Sequence, residues 1–75
     1  MFKVYDQNNK PINCEIIFTF QNNSKNFIVY RDDEDDILAS YYTPVGEKAI
    51  ITPITDDNDF DLVDKEIEKR MKHYE

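Results

Sequence analysis

The sequence predicts an α+β fold: a four- to five-stranded antiparallel meander sheet with one C-terminal α-helix packed on one face. Three observations lead there. Residues 12–21 alternate, with Ile12, Cys14, Ile16, Phe18 and Phe20 on one face and Asn13, Glu15, Ile17, Thr19 and Gln21 on the other, the period-two pattern of a half-buried strand. From Asp56 the period changes. Phe60, Val63, Ile67, Met71 and Tyr74 then recur at intervals of three and four, the stripe of an amphipathic helix. Finally, 75 residues suffice for a single domain spanning 1–75, with one sheet and one helix.

Each element has its own local justification. Phe2–Tyr5 reads as a short strand, and Asp6–Pro11 as a turn, because Asn accepts left-handed backbone and Pro11 cannot donate to a ladder. The alternating strand Ile12–Phe20 follows. Gln21–Asn26 has the polar composition of a hairpin loop. Phe27–Arg31 is rich in β-formers on both of its faces, so pattern alone leaves its inward face open. The acidic run Asp32–Asp36 is a solvated connection to a third bulky run, Ile37–Tyr42. Thr43-Pro44-Val45-Gly46 fits a type I turn, with Pro second and Gly fourth. Lys48–Thr52 is the last strand, stopped by Pro53. The helix is expected over about 57–73. Thr55, Asp56 or Asp57 can cap it, and Asp59 can close a box-like arrangement with Asp56. Acids crowd its first turn and Lys69, Arg70 and Lys72 its last, as the helix dipole favours.

Consecutive strands with short links pair antiparallel. One helix covers one face of such a sheet. Nothing else in the chain is available for the other, so that open face or a sheet edge is the expected contact surface.

Composition excludes several functions. With 40% hydrophobic and 13% aromatic residues the chain can build a core despite its net charge of −7, which argues against disorder. A single cysteine, Cys14, allows no internal disulfide and no cysteine zinc site, and fits a reducing cytoplasm. Cys14 itself reads as a small core residue. The single histidine, His73, reads as a solvated last-turn residue, and a Cys–His or Ser–His nucleophile has no support. One glycine, Gly46, is too few for a phosphate-cradling loop. The longest apolar run, Ile16-Ile17-Phe18, is far short of the roughly 20 residues of a membrane helix, and the N-terminal residues lack the apolar region of a signal peptide. No cofactor is expected. Residues 32–75 hold fourteen of the sixteen acids, and such a surface repels a nucleic-acid backbone, so no direct nucleic-acid binding is expected.

The order of blocks is similar to that of the YrzB-like family, small acidic bacterial proteins that share a domain of unknown function. The matching blocks are Cys14-Glu15-Ile16-Ile17-Phe18-Thr19-Phe20, Phe27-Ile28-Val29-Tyr30, and Leu38-Ala39-Ser40-Tyr41-Tyr42-Thr43-Pro44. Thr52-Pro53-Ile54-Thr55-Asp56-Asp57 then leads into Phe60 and the helix. The resemblance spans about residues 3–70. It departs at Ile17, where Leu is commoner, at Phe60, where Trp is common, and in the shortness of the acidic spacer. It brings no activity to carry over. It implies a nucleic-acid-processing context, because genes of this family tend to sit beside one for a Holliday-junction-resolvase-like protein.

Among candidate sites, Asp32, Asp33, Glu34, Asp35 and Asp36 form the densest charge cluster. They lack the glycine and the bidentate glutamate of a Ca²⁺ loop, so the run reads as a solvated loop or a patch for a basic partner, not a metal site. Asp57, Asp59, Asp61 and Glu68 imitate Ca²⁺-loop spacing, but Leu62 stands where the loop needs glycine and helical register runs straight through. Tyr5, Tyr30, Tyr41, Tyr42 and Tyr74 serve packing or, as Tyr often does, a protein contact. The expectation is a non-catalytic cytoplasmic module that binds a protein partner, with Tyr30, Tyr41, Tyr42 and the acidic run at the contact. Edge-strand pairing also allows a homodimer. The alternative is an acidic, phosphate-mimicking regulator of a nucleic-acid-processing enzyme. An enzyme is not expected, because nothing converges the many carboxylates on one point.

Overall fold

In a computed structural model of the chain, the described residues are 3–71. They form β1 (Lys3–Tyr5), β2 (Cys14–Asn22), β3 (Lys25–Asp32), β4 (Ile37–Val45), β5 (Lys48–Thr52) and α1 (Asp57–Met71). Phe2, His73 and Tyr74 lie outside the described residues.

β2 to β5 form the expected antiparallel meander, but β1 does not extend it. The strand order is β1-β5-β4-β3-β2, and β1 runs parallel to β5 with Val4 opposite Ala49. The sheet is therefore mixed. The segment after β1 turns back on β1, with a bridge between Tyr5 and Pro11 and the Ile12 N–H donating to the Val4 carbonyl at 2.8 Å. That occupies one side of β1, and β5 takes the other.

The links are tighter than composition suggests. β2 and β3 run on to Asn22 and Lys25, leaving the two-residue turn Asn23-Ser24. Both have positive φ, 52° and 64°, as a type I′ hairpin requires. Pro44 lies within β4, opposite Ala49, so the type I turn expected over Thr43–Gly46 is absent. The chain reverses at Gly46-Glu47 instead. Gly46 has φ 61°, the left-handed backbone that glycine adopts at no steric cost.

β2 also differs from its simple alternation. Ile16 faces Tyr30 and the next pair is Phe18 with Val29, so Ile17 is an extra residue in a β-bulge. A bulge leaves two residues opposite one and bends the strand. It moves the apolar set across the sheet. Cys14 and Ile16 pack with Ile28 and Tyr30, whereas Phe18 and Phe20 pack with Phe27 and Val29. The five residues expected on one face are thus shared between two.

Both faces are buried, and β3 between them is buried from Phe27 to Tyr30. On the helix side Phe27, Val29, Ile54 and Val63 form the core, with Phe20 stacked on Phe27 at 4.7 Å. On the other side the core is Val4, Ile28, Tyr30 and Ala49, joined by Ile12, Cys14 and Ile16. Val4 and Ile16 come from strands at opposite edges, so the sheet curls until its edges approach. The face for which the sequence offers no cover is covered by the sheet itself.

Asp56 caps α1: its Oδ1 accepts from the Asn58 N–H at 2.8 Å, and its carbonyl from the Asp59 and Phe60 N–H groups. The inward stripe starts one residue earlier than the pattern suggests. Asp59 is 6% exposed and Phe60 47%, and the Asp59 carboxylate turns to the sheet rather than closing a box with Asp56. No helix among the described residues is long and apolar enough to cross a membrane.

Candidate functional site

The acidic run is a hairpin tip with a defined geometry. Asp32 Oδ1 accepts from the Glu34 and Asp36 N–H groups at 3.0 and 2.9 Å, the Asp32 N–H donates to the Asp36 carbonyl, and Asp35 takes φ 67°. Residues Asp6–Lys10 repeat this arrangement. Asp6 Oδ1 accepts from the Asn8 and Lys10 N–H groups, and Asn9 takes φ 63°. An Asp opening the turn and an Asn or Asp in left-handed backbone three residues on is the common cause. Asp33, Glu34, Asp35 and Asp36 are exposed, and Arg31 pairs with Asp35 at 3.2 Å. Asp32, Glu34 and Asp36 bring carboxylate oxygens within 4.8 Å of one another, a closeness that follows from the turn wrapped around Asp32.

The tyrosines do not form one surface. Tyr30 is 6% exposed and its hydroxyl lies 3.4 Å from Ser40 Oγ, in the core away from the helix. It is therefore withdrawn from any contact surface. Tyr41 is on the helix side and its hydroxyl donates to Asp59 Oδ2. Tyr42, half-buried, packs with the opposite core. Tyr5 lies under Lys48, whose Nζ is 4.7 Å from the ring centre. Tyr74 lies outside the described residues.

Tyr41 belongs instead to a three-residue junction not foreseen from sequence. Asp59 Oδ2 accepts from Lys25 Nζ at 2.8 Å as well as from Tyr41. The Lys25 hydrogen bond, then that of Tyr41, holds the Asp59 carboxyl below the usual carboxylate range, against the opposing effect of burial. Hydrogen bonding to Asp59 raises both Lys25 and Tyr41. Each shift favours the form its group ordinarily holds at neutral pH, a charged Lys25 and Asp59 and a neutral Tyr41. Arg70 secures the other end of the helix, its guanidinium 4.8 Å from the Phe18 ring centre and 2.9 Å from Glu66.

A concavity lies where the curled sheet fails to close. A groove of about 750 Å³ separates β1 and the Pro11–Asn13 segment from β2, and Val4, Ile12, Cys14, Ile16 and Phe18 line it. β2 pairs with β3 on one side and with no described strand on the other. Burial raises the Cys14 thiol above its ordinary value, which makes it less reactive. Beside Cys14 a smaller hollow of about 240 Å³ continues to Glu15, Arg31, Asp32 and Asp33. The groove depends on the chain reversal at Asp6–Lys10, which the composition of that segment signals, and on the parallel pairing of β1, which local pattern does not reveal.

The family model described as a protein of unknown function (DUF1292) matches residues 7–72. The chain belongs to the DUF1292 family. Similar to it is a UPF0473 protein of Bacillus velezensis, 33% identical over 72 residues that cover 83% of this chain and 76% of the relative. No solved structure matches. Membership in DUF1292 places the chain in a small bacterial family of unknown function, and nothing in it indicates catalysis.

Proposed function

We propose that this DUF1292 protein is a non-catalytic cytoplasmic module that binds another protein, with its acidic surface steering a basic partner. The observation that supports this most is the side of β2 that no described strand pairs with, beside an apolar groove, the arrangement through which sheets recruit extended segments. The net charge of −7 favours encounter with a positive surface and raises the association rate at low salt. We also infer kinship with the YrzB-like proteins, whose order of sequence blocks the chain resembles. Phosphate mimicry toward a nucleic-acid-processing enzyme is a second reading, favoured by the four consecutive exposed acids Asp33–Asp36.

The test is affinity capture of the tagged protein from a bacterial lysate, at low and moderate salt, with and without nuclease. A stoichiometric protein that survives moderate salt and nuclease is expected. Recovery of the bait alone would overturn the proposal. A captured nucleic-acid enzyme, released by neutralising Asp33–Asp36, would select the second reading.

A further inference from the structure

We propose that the groove between β1 and β2 takes an extended segment of another protein, apolar at alternate positions and basic at one end, which adds to β2 as a sixth strand. This rests on the protein-binding reading above and specifies its mode.

The backbone of β2 supplies the first reason. Among the described residues its nine positions pair on one side only, so the other presents N–H and C=O groups outward. Natural edges are blunted by lysine, proline, charge or a bulge. Residues 14–22 contain no lysine and no proline, and Glu15 is their only charge. The bulge at Ile17 bends the strand but leaves Phe18–Asn22 in regular register. Beside this edge lies an apolar trough, not open solvent. Strand addition draws affinity from main-chain hydrogen bonds and specificity from pockets for alternate side chains, and this groove offers both.

Charge selects the occupant. The groove is neutral along its length, where Lys3 offsets Glu15. At the Cys14 end it borders a hollow lined by Glu15, Asp32 and Asp33 and by one base, Arg31, which pairs with Asp35. A lysine or arginine at that end of an incoming strand meets a net negative charge. An acidic segment is repelled, and a second copy of this chain, itself at −7 overall, is disfavoured by like-charge repulsion.

The probe is a synthetic peptide, Lys-Lys-Val-Thr-Val-Thr-Val, titrated into ¹⁵N-labelled protein. One control carries N-methyl groups on alternate residues and another has Glu-Glu for Lys-Lys. The amides of residues 14–19 are expected to shift and to gain protection from exchange, with neither control reproducing the effect. The double variant Glu15→Gln/Asp33→Asn is expected to weaken binding about fivefold, as for two partly exposed ion pairs. Equal binding by the N-methylated peptide, with shifts confined to residues 32–36, would overturn strand addition and leave an acid-steered protein contact standing. Absence of any shift at millimolar peptide would overturn it too, because main-chain pairing tolerates many sequences. So would β2 protection that rises with protein concentration alone, which would assign the edge to a second copy. Capture of a partner that crosslinks away from β2 would remove this mode while retaining the protein-binding reading.

Discussion

Lys25 Nζ lies 2.8 Å from Asp59 Oδ2, joining the first residue of β3 to the first turn of the helix across 34 positions of sequence. Tyr41 donates to the same oxygen. Two strands and the helix therefore meet at one carboxylate. Because the carboxyl is held below its ordinary value of 3.8, its contribution is present above that value and is lost as pH falls through the lower, folded one. Lys25 and Tyr41, raised from 10.5 and 10.0, contribute below those values and lose their contribution as pH rises through the folded ones. Urea unfolding of the protein and of Asp59→Asn is expected to differ most between about pH 5 and 9, and the gap to shrink at either extreme. A gap constant from pH 2 to 7 would contradict the assignment.

Phe27 is fully buried, stacked on Phe20 and 5.4 Å from Tyr41. Phe27→Ala removes the ring that joins β2, β3 and β4 under the helix. A loss of about 3–5 kcal/mol is expected, a large part of the about 5–15 kcal/mol that holds a domain folded. Chemical denaturation measures it, and near-ultraviolet circular dichroism reports whether aromatic packing survives.

The acidic hairpin separates structural from solvated acids. Asp32 accepts two backbone N–H donors, whereas the side chains of Asp33 and Glu34 make no contact of that kind. Asp32→Ala is expected to cost about 1 kcal/mol, and Asp33→Ala to stay within about 0.5 kcal/mol of the parent. Equal effects in thermal unfolding would show that bulk charge, not the turn, matters there.

Deletion of Ile17 removes the extra residue of the bulge. Ile16 and Phe18 then become consecutive residues, which point to opposite faces of a regular strand, so Cys14 and Ile16 keep one core and Phe18 and Phe20 the other. What is lost is the Ile17 side chain packed on the helix-side core. The deletion is expected to unfold cooperatively with a loss of about 2 kcal/mol, while Ile17→Val costs about 1 kcal/mol. Loss of cooperative unfolding in the deletion variant would show that the bend of the bulge itself is required.

Much of the fold is legible from local chemistry. Alternation locates β2, period 3.6 locates α1, and Asp56 caps where a short polar residue before an amphipathic run should. The bulge had a signal as well: Ile17 was the one large apolar residue on an otherwise polar face. The parallel placement of β1 had none, since three residues carry no register information and the partner of Lys3, Lys48, lies 45 positions later in the sequence. The inward turn of Asp59 in place of Phe60 follows from Lys25 and Tyr41, partners that a helical pattern does not contain. Of the candidate contact residues, the acidic run was legible as an exposed loop, whereas the burial of Tyr30 follows from a curl of the sheet that alternation does not encode.

The pairing of β1 with β5 also orders events in time. Val4 has no partner strand until Ala49 has been made and β5 has joined β4. The three hairpins from β2 to β5 close locally, but β1 must bridge nearly the full sheet, the kind of distant pairing that forms slowly. Of the five described strands the first to be made is thus the last to find its place, and a chain interrupted before Lys48 holds a β1 segment with no edge to join.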